Sequence, residues 1–375
     1  MAGTGIILRM RKISLDKTNH SASWLFVAAA LSLLLLPPVA GIATAQSPER
    51  EENLKHLHEI QKTDEVDRAV ASALAYLAQQ QDKETGAFPG KHQITTTSLA
   101  CMALMAAGEQ DGRTRYGAHL RDGIRFLVRQ SVEKSPYLGR DGGRMYGHAI
   151  ATVTLCEAYG MMAEPRDNRA VRNAIQKALP IILQAQVGGD SRHRGGWRYN
   201  PSSADADLSV TAWQILALRA IRNCGFEVPE ETISNALGYV RRAYNQDKGF
   251  AYMPGRPPTP AMLAAGIVCM ETLGANNASD DIRKIETSAQ AMKQADLEGG
   301  KHFYYQSYYV ATAANMLGDE YRTALLPKLQ EVLLGLQQED AQFAKHTGYE
   351  GGTYSTAVAA LTLAIRYQYL PIYQD

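Results

Sequence analysis

The sequence predicts an all-α fold, an α/α toroid in which about six helical hairpins close into a double-layered helical barrel. A turn that combines glycine with an aromatic residue recurs at intervals of roughly 45 to 65 residues, and such a period is typical of stacked supersecondary units. Each turn follows an amphipathic stretch and precedes a helix rich in Ala, Thr, Ser and Cys. The turns begin at Gly86, Gly142, Gly195, Gly249, Gly299 and Gly351.

The stretch before each turn has its apolar residues on one side of a helix. In the first unit Val66, Ala69, Val70, Ala73 and Leu77 recur at helical spacing between charged residues. Such a helix covers an apolar interior with one face and meets solvent with the other. We therefore assign these stretches to the outer layer.

The helix after each turn is apolar or small on nearly every side, as expected of an inner layer. Five of these helices stop at or near a glycine, the usual residue for a left-handed helix end. The predicted inner helices are Thr95 to Ala107, Ala149 to Tyr159, Leu208 to Arg222, Met262 to Leu273, Tyr308 to Leu317 and Ser355 to Ile365.

An open stack needs polar capping repeats at its ends. The last inner helix, Ser355 to Ile365, is as apolar as those in the middle of the chain. This favours a closed ring around a central cavity over the alternative, an open superhelix.

The N-terminus reads as a secretory signal. Basic residues precede an apolar run from Trp24 to Leu36, which is shorter than the about 20 residues of a membrane span, and the small-residue site Ala43-Thr44-Ala45 follows. We predict cleavage after Ala45 and a secreted or periplasmic protein. An uncleaved membrane anchor is the alternative. The predicted organisation is a signal peptide at 1–45, a charged lead-in at 46–64 and a toroid domain at 65–375.

Composition excludes several classes of function. Lys and Arg number 39 against 38 Asp and Glu, so no strong field attracts nucleic acid. The four cysteines occur singly, without the paired spacing of a zinc or redox motif. We expect no nucleic-acid partner, no metal and no cofactor, and we expect the cysteines to pack as small apolar side chains, with disulfide pairing left open.

Three turns carry a resemblance to a known family. Gln81 with Gly86 and Phe88, Gln186 with Gly195-Gly196-Trp197, and Gln246 with Gly249-Phe250 resemble the Q-x3-G-x-W repeats of terpenoid cyclases, which are related to the repeats of protein prenyltransferase β subunits. The resemblance runs from about Val66 to the C-terminus. It implies the toroid fold and an apolar, isoprenoid-like ligand.

One segment is similar to the D-x-D-D-T-A stretch of squalene-hopene and related class II cyclases. Here Asp205 takes the place of the first Asp and Asp207 that of the middle one, which in the family protonates an alkene, while Leu208 replaces the last Asp. The resemblance implies that Asp207 is a catalytic acid assisted by Asp205, in a cyclisation or isomerisation. The plainer interpretation is that these residues cap the following helix.

Aromatic faces in such enzymes stabilise developing carbocations. The candidate ligand-binding residues are Trp197, Tyr199, Trp213, Tyr305, Tyr308, Tyr309 and His148. The tyrosines can equally pack between helix layers, and a lone histidine is usually structural. The D-x-C pair that holds zinc in prenyltransferases is missing, and Gln306 stands where their histidine would be.

The leading hypothesis is a toroid that binds an apolar or lipidic molecule in its central cavity. A non-catalytic envelope scaffold that contacts a protein or glycan, with peripheral membrane contact, is one alternative. A carbohydrate-active toroid enzyme that uses Asp205 or Asp207 with the basic segment 192–198 is the other.

Overall fold

The computed structural model describes residues 48–373, except 247, 276, 301 and 347–350. The predicted signal peptide, 1–45, lies outside the described residues. The chain divides into two compact units, residues 1–57 and 58–375. Only residues 48–57 of the first unit are described, as helix. The toroid belongs to the second unit.

Twelve α-helices make up the described chain, and they alternate between the two layers as predicted. The outer helices are α1 (Pro48–Gln80), α3 (Gly117–Arg129), α5 (Pro165–Ala185), α7 (Glu230–Arg242), α9 (Ser279–Lys293) and α11 (Asp319–Leu336). The inner helices are α2 (Gln93–Ala106), α4 (Arg144–Ala158), α6 (Leu208–Asn223), α8 (Pro260–Thr272), α10 (Phe303–Leu317) and α12 (Thr353–Ala364). A two-residue hairpin of β1 (Tyr244–Asn245) and β2 (Gly249–Phe250) precedes α8. Helix α1 takes in most of the charged segment 46–64.

Burial follows the predicted pattern. In α2 every residue from Ile94 to Ala106 is buried, whereas α3 buries mainly one stripe that includes Leu120, Ile124 and Leu127. Five inner helices end next to glycines with positive φ, as the sequence predicted. These are Gly108, Gly160, Gly225, Gly274 and Gly318.

The inner helices form a closed ring. Each packs against the next along the chain, and the last, α12, packs against the first, α2. In the outer layer the Gln337 side chain after α11 donates to the Ala69 carbonyl oxygen of α1 at 2.9 Å. Closure leaves no exposed end of the stack, which explains why the last inner helix is apolar.

A buried threonine of the inner helix makes the same hydrogen bond to the turn in three of the repeats. The backbone N–H of Phe88 donates to Thr97, that of Trp197 to Thr211 and that of Phe343 to Thr356, each at 2.9–3.0 Å. The threonine lies on the inner helix of the same unit, and the aromatic ring is buried between the layers. The turn is thus fixed to its own inner helix.

The C-terminal segment crosses one mouth of the barrel. Residues Pro371–Tyr373 contact both α6 and α10, and the Ile372 N–H donates to Glu157 of α4 at 3.5 Å. Helices α4 and α10 occupy opposite positions in the ring. The tail therefore spans the mouth at the C-terminal ends of the inner helices. Among the described residues no helix has the length and apolar character needed to cross a bilayer.

Candidate functional site

The candidate site lies at the other mouth, where the inner helices begin. Asp207 is held there by an antiparallel bridge to Trp197, and its N–H donates to the Trp197 carbonyl oxygen at 3.0 Å. The next N–H, that of Leu208, donates to the carbonyl oxygen of Tyr252 at 2.8 Å. Two successive turns therefore fix the start of α6.

Asp207 is the N-cap of α6, and its side chain is fully buried. Oδ1 accepts hydrogen bonds from the Ser209 hydroxyl at 2.6 Å and from the Val210 N–H at 2.9 Å. Oδ2 accepts no hydrogen bond of ordinary geometry, and its charge partner is the Arg198 Nη1 at 3.5 Å. The capping interpretation is thus met by one oxygen, while the other is left for another partner.

The environment acts on the acidity of Asp207 in both directions. Burial raises the pKa of this carboxyl above its usual value, whereas the hydrogen bonds from Ser209, Val210 and the Tyr252 hydroxyl and the charge of Arg198 lower it. Because Oδ1 already accepts two hydrogen bonds, a proton on this group resides on Oδ2.

Asp205 occupies a different environment. Its side chain is half exposed, and Oδ2 lies 3.6 Å from the Arg198 Nε. The two carboxylates therefore share one guanidinium. Leu208, at the position of the family's last Asp, is fully buried, so Asp207 has no third carboxyl next to it in the chain.

Arg198 is the residue that connects these groups, although the sequence identifies it only as part of the basic segment 192–198. Its guanidinium lies 4.6 Å from the ring centroid of Tyr199 and 5.7 Å from that of Tyr252. The hydroxyls of these two tyrosines are 2.6 Å apart. The guanidinium thus stacks on aromatic rings while it faces both carboxylates.

A hydrogen-bonded chain leads from Asp207 toward the barrel axis. The Ser209 hydroxyl hydrogen-bonds the phenol of Tyr146 on α4, and the Tyr305 hydroxyl of α10 donates to the Ser209 carbonyl oxygen at 3.3 Å. Burial, with the charge of Asp207 adding to it, raises the pKa of both phenols. They are therefore neutral hydrogen-bond donors at ordinary pH.

Aromatic side chains fill the barrel at this level. Trp213 of α6 stacks on Tyr308 of α10 at 5.1 Å between ring centroids. Tyr305 lies 4.8 Å from Tyr309 and meets Tyr146 edge-on at 6.5 Å, which is a contact across the ring from α10 to α4. The central cavity predicted from the sequence is narrow here, because large side chains from opposite helices meet on the axis.

What remains accessible is the outer edge of this cluster. Its four partly exposed tyrosines belong to two turns and two inner helices, and together with Arg198 and Asp207 we call them the aromatic rim. The tyrosines are Tyr146, Tyr199, Tyr252 and Tyr305.

Of the predicted ligand-binding residues, Tyr199 and Tyr305 lie on the aromatic rim and Trp213, Tyr308 and Tyr309 lie beneath it. Tyr146 and Tyr252 are rim tyrosines that are not among the predicted ligand-binding residues. The register of the repeat could have revealed both, because Tyr146 and Tyr199 each lie four residues after the first glycine of their turn and Tyr252 lies three after Gly249.

Trp197 and His148 are placed in the wall between the two layers. The Trp197 indole N–H donates to the Ile182 carbonyl oxygen of α5 at 2.8 Å. The Nδ1 of His148 accepts from the Leu138 N–H, and its Nε2 hydrogen-bonds the Ala178 carbonyl oxygen, both at 3.2 Å. Burial lowers the pKa of His148 to about 4, so the ring is neutral. Their polar atoms are used in joining the layers, and we do not include them in the site.

Gln306 has a structural role as well, because its side chain binds the backbone of the segment that precedes α10. Its side-chain amide donates to the carbonyl oxygens of Leu297 at 3.2 Å and Gly299 at 3.4 Å. Within the described part of the chain, no group of three or more His, Cys, Asp or Glu side chains is arranged to hold a metal ion.

Comparison with known proteins agrees with this architecture. Residues 196–372 match the family model of the prenyltransferase alpha-alpha toroid domain. The chain is 26% identical over 174 residues to the beta subunit of protein farnesyltransferase from Arabidopsis thaliana, an alignment that covers 43% of this chain. The chain spans about a third of that relative's length, 35%.

Two solved structures show the same fold. A type II terpene cyclase from Scytonema, in complex with geranylgeranyl dihydroxybenzoate, superposes with a TM-score of 0.52 at 14% identity and covers 83% of this chain and 99% of its own. A glycosidase superposes with a TM-score of 0.50 at 11% identity over 83% of this chain and 99% of its own. At such identities the likeness extends to the fold alone.

Proposed function

Because residues 196–372 match the family model of the prenyltransferase alpha-alpha toroid domain and lie within a ring of six helical hairpins, we propose that the protein binds an apolar, isoprenoid-like ligand at the aromatic rim. In this proposal Asp207 is the acid that acts on the bound ligand, by cyclisation or isomerisation. The predicted export of the protein is part of the same proposal and places the reaction outside the cytosol.

One observation carries this proposal. Four partly exposed tyrosines surround a buried carboxyl whose Oδ2 accepts no hydrogen bond of ordinary geometry. Aromatic faces attract apolar chains and stabilise positive charge that develops on them. Because Oδ1 already accepts two hydrogen bonds, Oδ2 is the oxygen that can hold a proton toward that surface.

Acid catalysis requires that Asp207 be protonated, and Arg198 opposes its protonation. Its positive charge 3.5 Å from Oδ2 favours the carboxylate, whereas burial favours the protonated acid. A ligand that displaces water from the aromatic rim strengthens the second effect. We therefore expect protonation of Asp207 to accompany ligand binding.

Binding is tested by titrating the mature protein with farnesol and geranylgeraniol and following the fluorescence of Trp213. The Trp197→Phe variant removes the signal of the wall tryptophan. Tyr305→Ala, which removes a rim side chain, is expected to weaken binding at least tenfold. Tyr321→Ala, a change on the outer helix α11, is the matched control and should leave binding unchanged. Equal affinities in both variants would rule out the aromatic rim as the binding surface.

Acid catalysis is tested by mass spectrometry of isoprenoids after incubation with the protein, and of any small molecule that copurifies with it. Asp207→Asn can keep the helix cap through its amide oxygen, so loss of turnover with an unchanged circular dichroism spectrum supports a role for the proton. Asp205→Asn is the comparison at the half-exposed carboxyl. Unchanged turnover in Asp207→Asn contradicts the catalytic part of the proposal, and binding of oligosaccharides in place of isoprenoids contradicts both parts.

A further inference from the structure

Two of the four cysteines come together at the barrel mouth opposite the aromatic rim. Cys156 lies in the last turn of α4, and Cys224 directly follows α6, its neighbour in the inner ring. The Cys224 Sγ donates to the Cys156 carbonyl oxygen at 3.5 Å, which brings the two residues into direct contact. The sequence leaves disulfide pairing open and does not identify these two cysteines as neighbours, because they are 68 residues apart.

The two thiols differ in access and in acidity. Cys224 is partly exposed and Cys156 is buried beneath it. Hydrogen bonding with Cys156 lowers the pKa of the Cys224 thiol, whereas burial raises the pKa of the Cys156 thiol. An accessible thiol of lowered pKa is the one that reacts first with an external disulfide.

The remaining cysteines provide an internal comparison. Cys101 on α2 and Cys269 on α8 are fully buried and free. Burial raises the pKa of both thiols. They should remain reduced while the folded ring is intact.

We propose that Cys156 and Cys224 form a reversible redox pair, which closes to a disulfide between α4 and α6 by exchange with a small-molecule disulfide. The Cys224 thiolate attacks one sulfur of the external disulfide and releases one thiolate. The Cys156 sulfur then displaces the second thiolate from Cys224, and the protons that the Cys224 and Cys156 thiols lose pass to the two released thiolates. The two protein thiols are thereby oxidised by two electrons, and the external disulfide is reduced to two thiols.

The bond would brace the mouth that the C-terminal segment crosses. Glu157, next to Cys156 in the chain, accepts the hydrogen bond from the Ile372 N–H. A covalent link between α4 and α6 fixes the wall on which this segment rests. We therefore expect the oxidised protein to melt several degrees higher than the reduced protein.

The test exposes the folded protein to oxidised glutathione and maps the products by mass spectrometry without reduction. The expected product is one cross-linked peptide pair that contains Cys156 and Cys224, lost on treatment with dithiothreitol, with Cys101 and Cys269 still free. Equal oxidation of all four cysteines, or no oxidation while the protein stays folded, would overturn the proposal.

Two single variants separate the steps. Cys156→Ser lacks the thiol that displaces glutathione, so a stable glutathione adduct should accumulate on Cys224. Cys224→Ser, a change at the partly exposed position, should form neither product. If the wild-type protein itself stops at the adduct on Cys224, the two thiols do not form a pair and the proposal fails.

Discussion

The side-chain amide of Gln337 donates to the carbonyl oxygen of Ala69 at 2.9 Å, which joins the last outer helix to the first. Gln81 makes the equivalent contact to the His119 carbonyl oxygen of α3, and Gln186 to that of Thr232 in α7. Each glutamine also donates to the carbonyl oxygen of its own turn. The repeated glutamine is thus a clamp between successive units, and at Gln337 the same clamp closes the ring.

Removing the closing clamp should loosen the ring. Gln337→Ala leaves the Ala69 and Ala341 carbonyl oxygens without this donor, and we expect a loss of about 1–2 kcal/mol in the free energy of unfolding. Urea denaturation monitored by circular dichroism measures it. Gln338→Ala, at the exposed neighbouring position, is the control. A loss no larger than that of the control would mean that the ring does not depend on this contact.

A glycine with positive φ lies in the turn after two of these glutamines, and its replacement should be severe. A Cβ at Gly195 would lie 1.9 Å from the Asn235 carbonyl oxygen, and φ there is +85°. Gly195→Ala should therefore cost more than about 3 kcal/mol or prevent folding. Gly189→Ala is the matched control, since φ is +73° but no atom lies within 4 Å of its Cβ; it should cost only about 1 kcal/mol. Similar losses in the two variants would contradict the steric argument.

In the last unit an alanine occupies the equivalent place. Ala341 follows Gln337 and has φ of +68°, a conformation that is unfavourable for a residue with a Cβ by roughly 1 kcal/mol. Ala341→Gly should therefore stabilise the protein by up to about 1 kcal/mol, measured as a higher urea midpoint. Ala344→Gly, in the same segment, is the control and should not stabilise. A destabilised Ala341→Gly protein would show that the side chain at this position contributes more than its backbone strain removes.

The helices and the closed ring could be predicted because both depend on patterns along the chain. One-sided outer helices, inner helices apolar all round and an apolar last helix are visible in the sequence. The sequence predicts the sixth turn at Gly351-Gly352, whereas in the structure Phe343 takes the buried aromatic position after Gln337. This shift escaped notice because Ala341 replaces the glycine that marks the other turns.

The site was less predictable because its contacts depend on ring closure. Asp207 was found from a local motif, but the pairing of Arg198 with two carboxylates and two tyrosines joins separate turns. The meeting of Tyr146 and Tyr305 on the barrel axis joins helices on opposite sides of the ring. A helical period gives the direction of a side chain and not the width of the space that it enters.

Arg198 should control the acidity of Asp207. Arg198→Leu removes the positive charge beside Oδ2, and because that charge lowers the pKa of the carboxyl, the pKa of Asp207 should rise. Carbon-13 NMR titration of the labelled carboxyl measures the change. Arg194→Leu, an exposed position of the same loop, is the control. An unchanged titration in Arg198→Leu would mean that solvent screens the pair.

The buried Glu157 should make stability depend on pH. Burial raises its pKa from 4.5 to about 7, against the smaller opposing effects of the Ile372 N–H and Arg219. Because the folded-state pKa is the higher one, the stabilisation by the protonated group is fully present below about pH 4.5 and is lost as the pH rises through about 7. The shift corresponds to about 3 kcal/mol.

Glu157→Gln isolates this effect, since its amide oxygen can still accept the hydrogen bond from Ile372 and carries no charge at any pH. We expect the variant to be more stable than the wild type at pH 8 and to lose that advantage near pH 5, in urea denaturation at both values. Glu164→Gln, at an exposed position, should follow the wild type at both. A difference between wild type and Glu157→Gln that stays constant with pH would mean that the carboxyl at the C-terminal mouth is ionised throughout, and that the tail rests on a charged group.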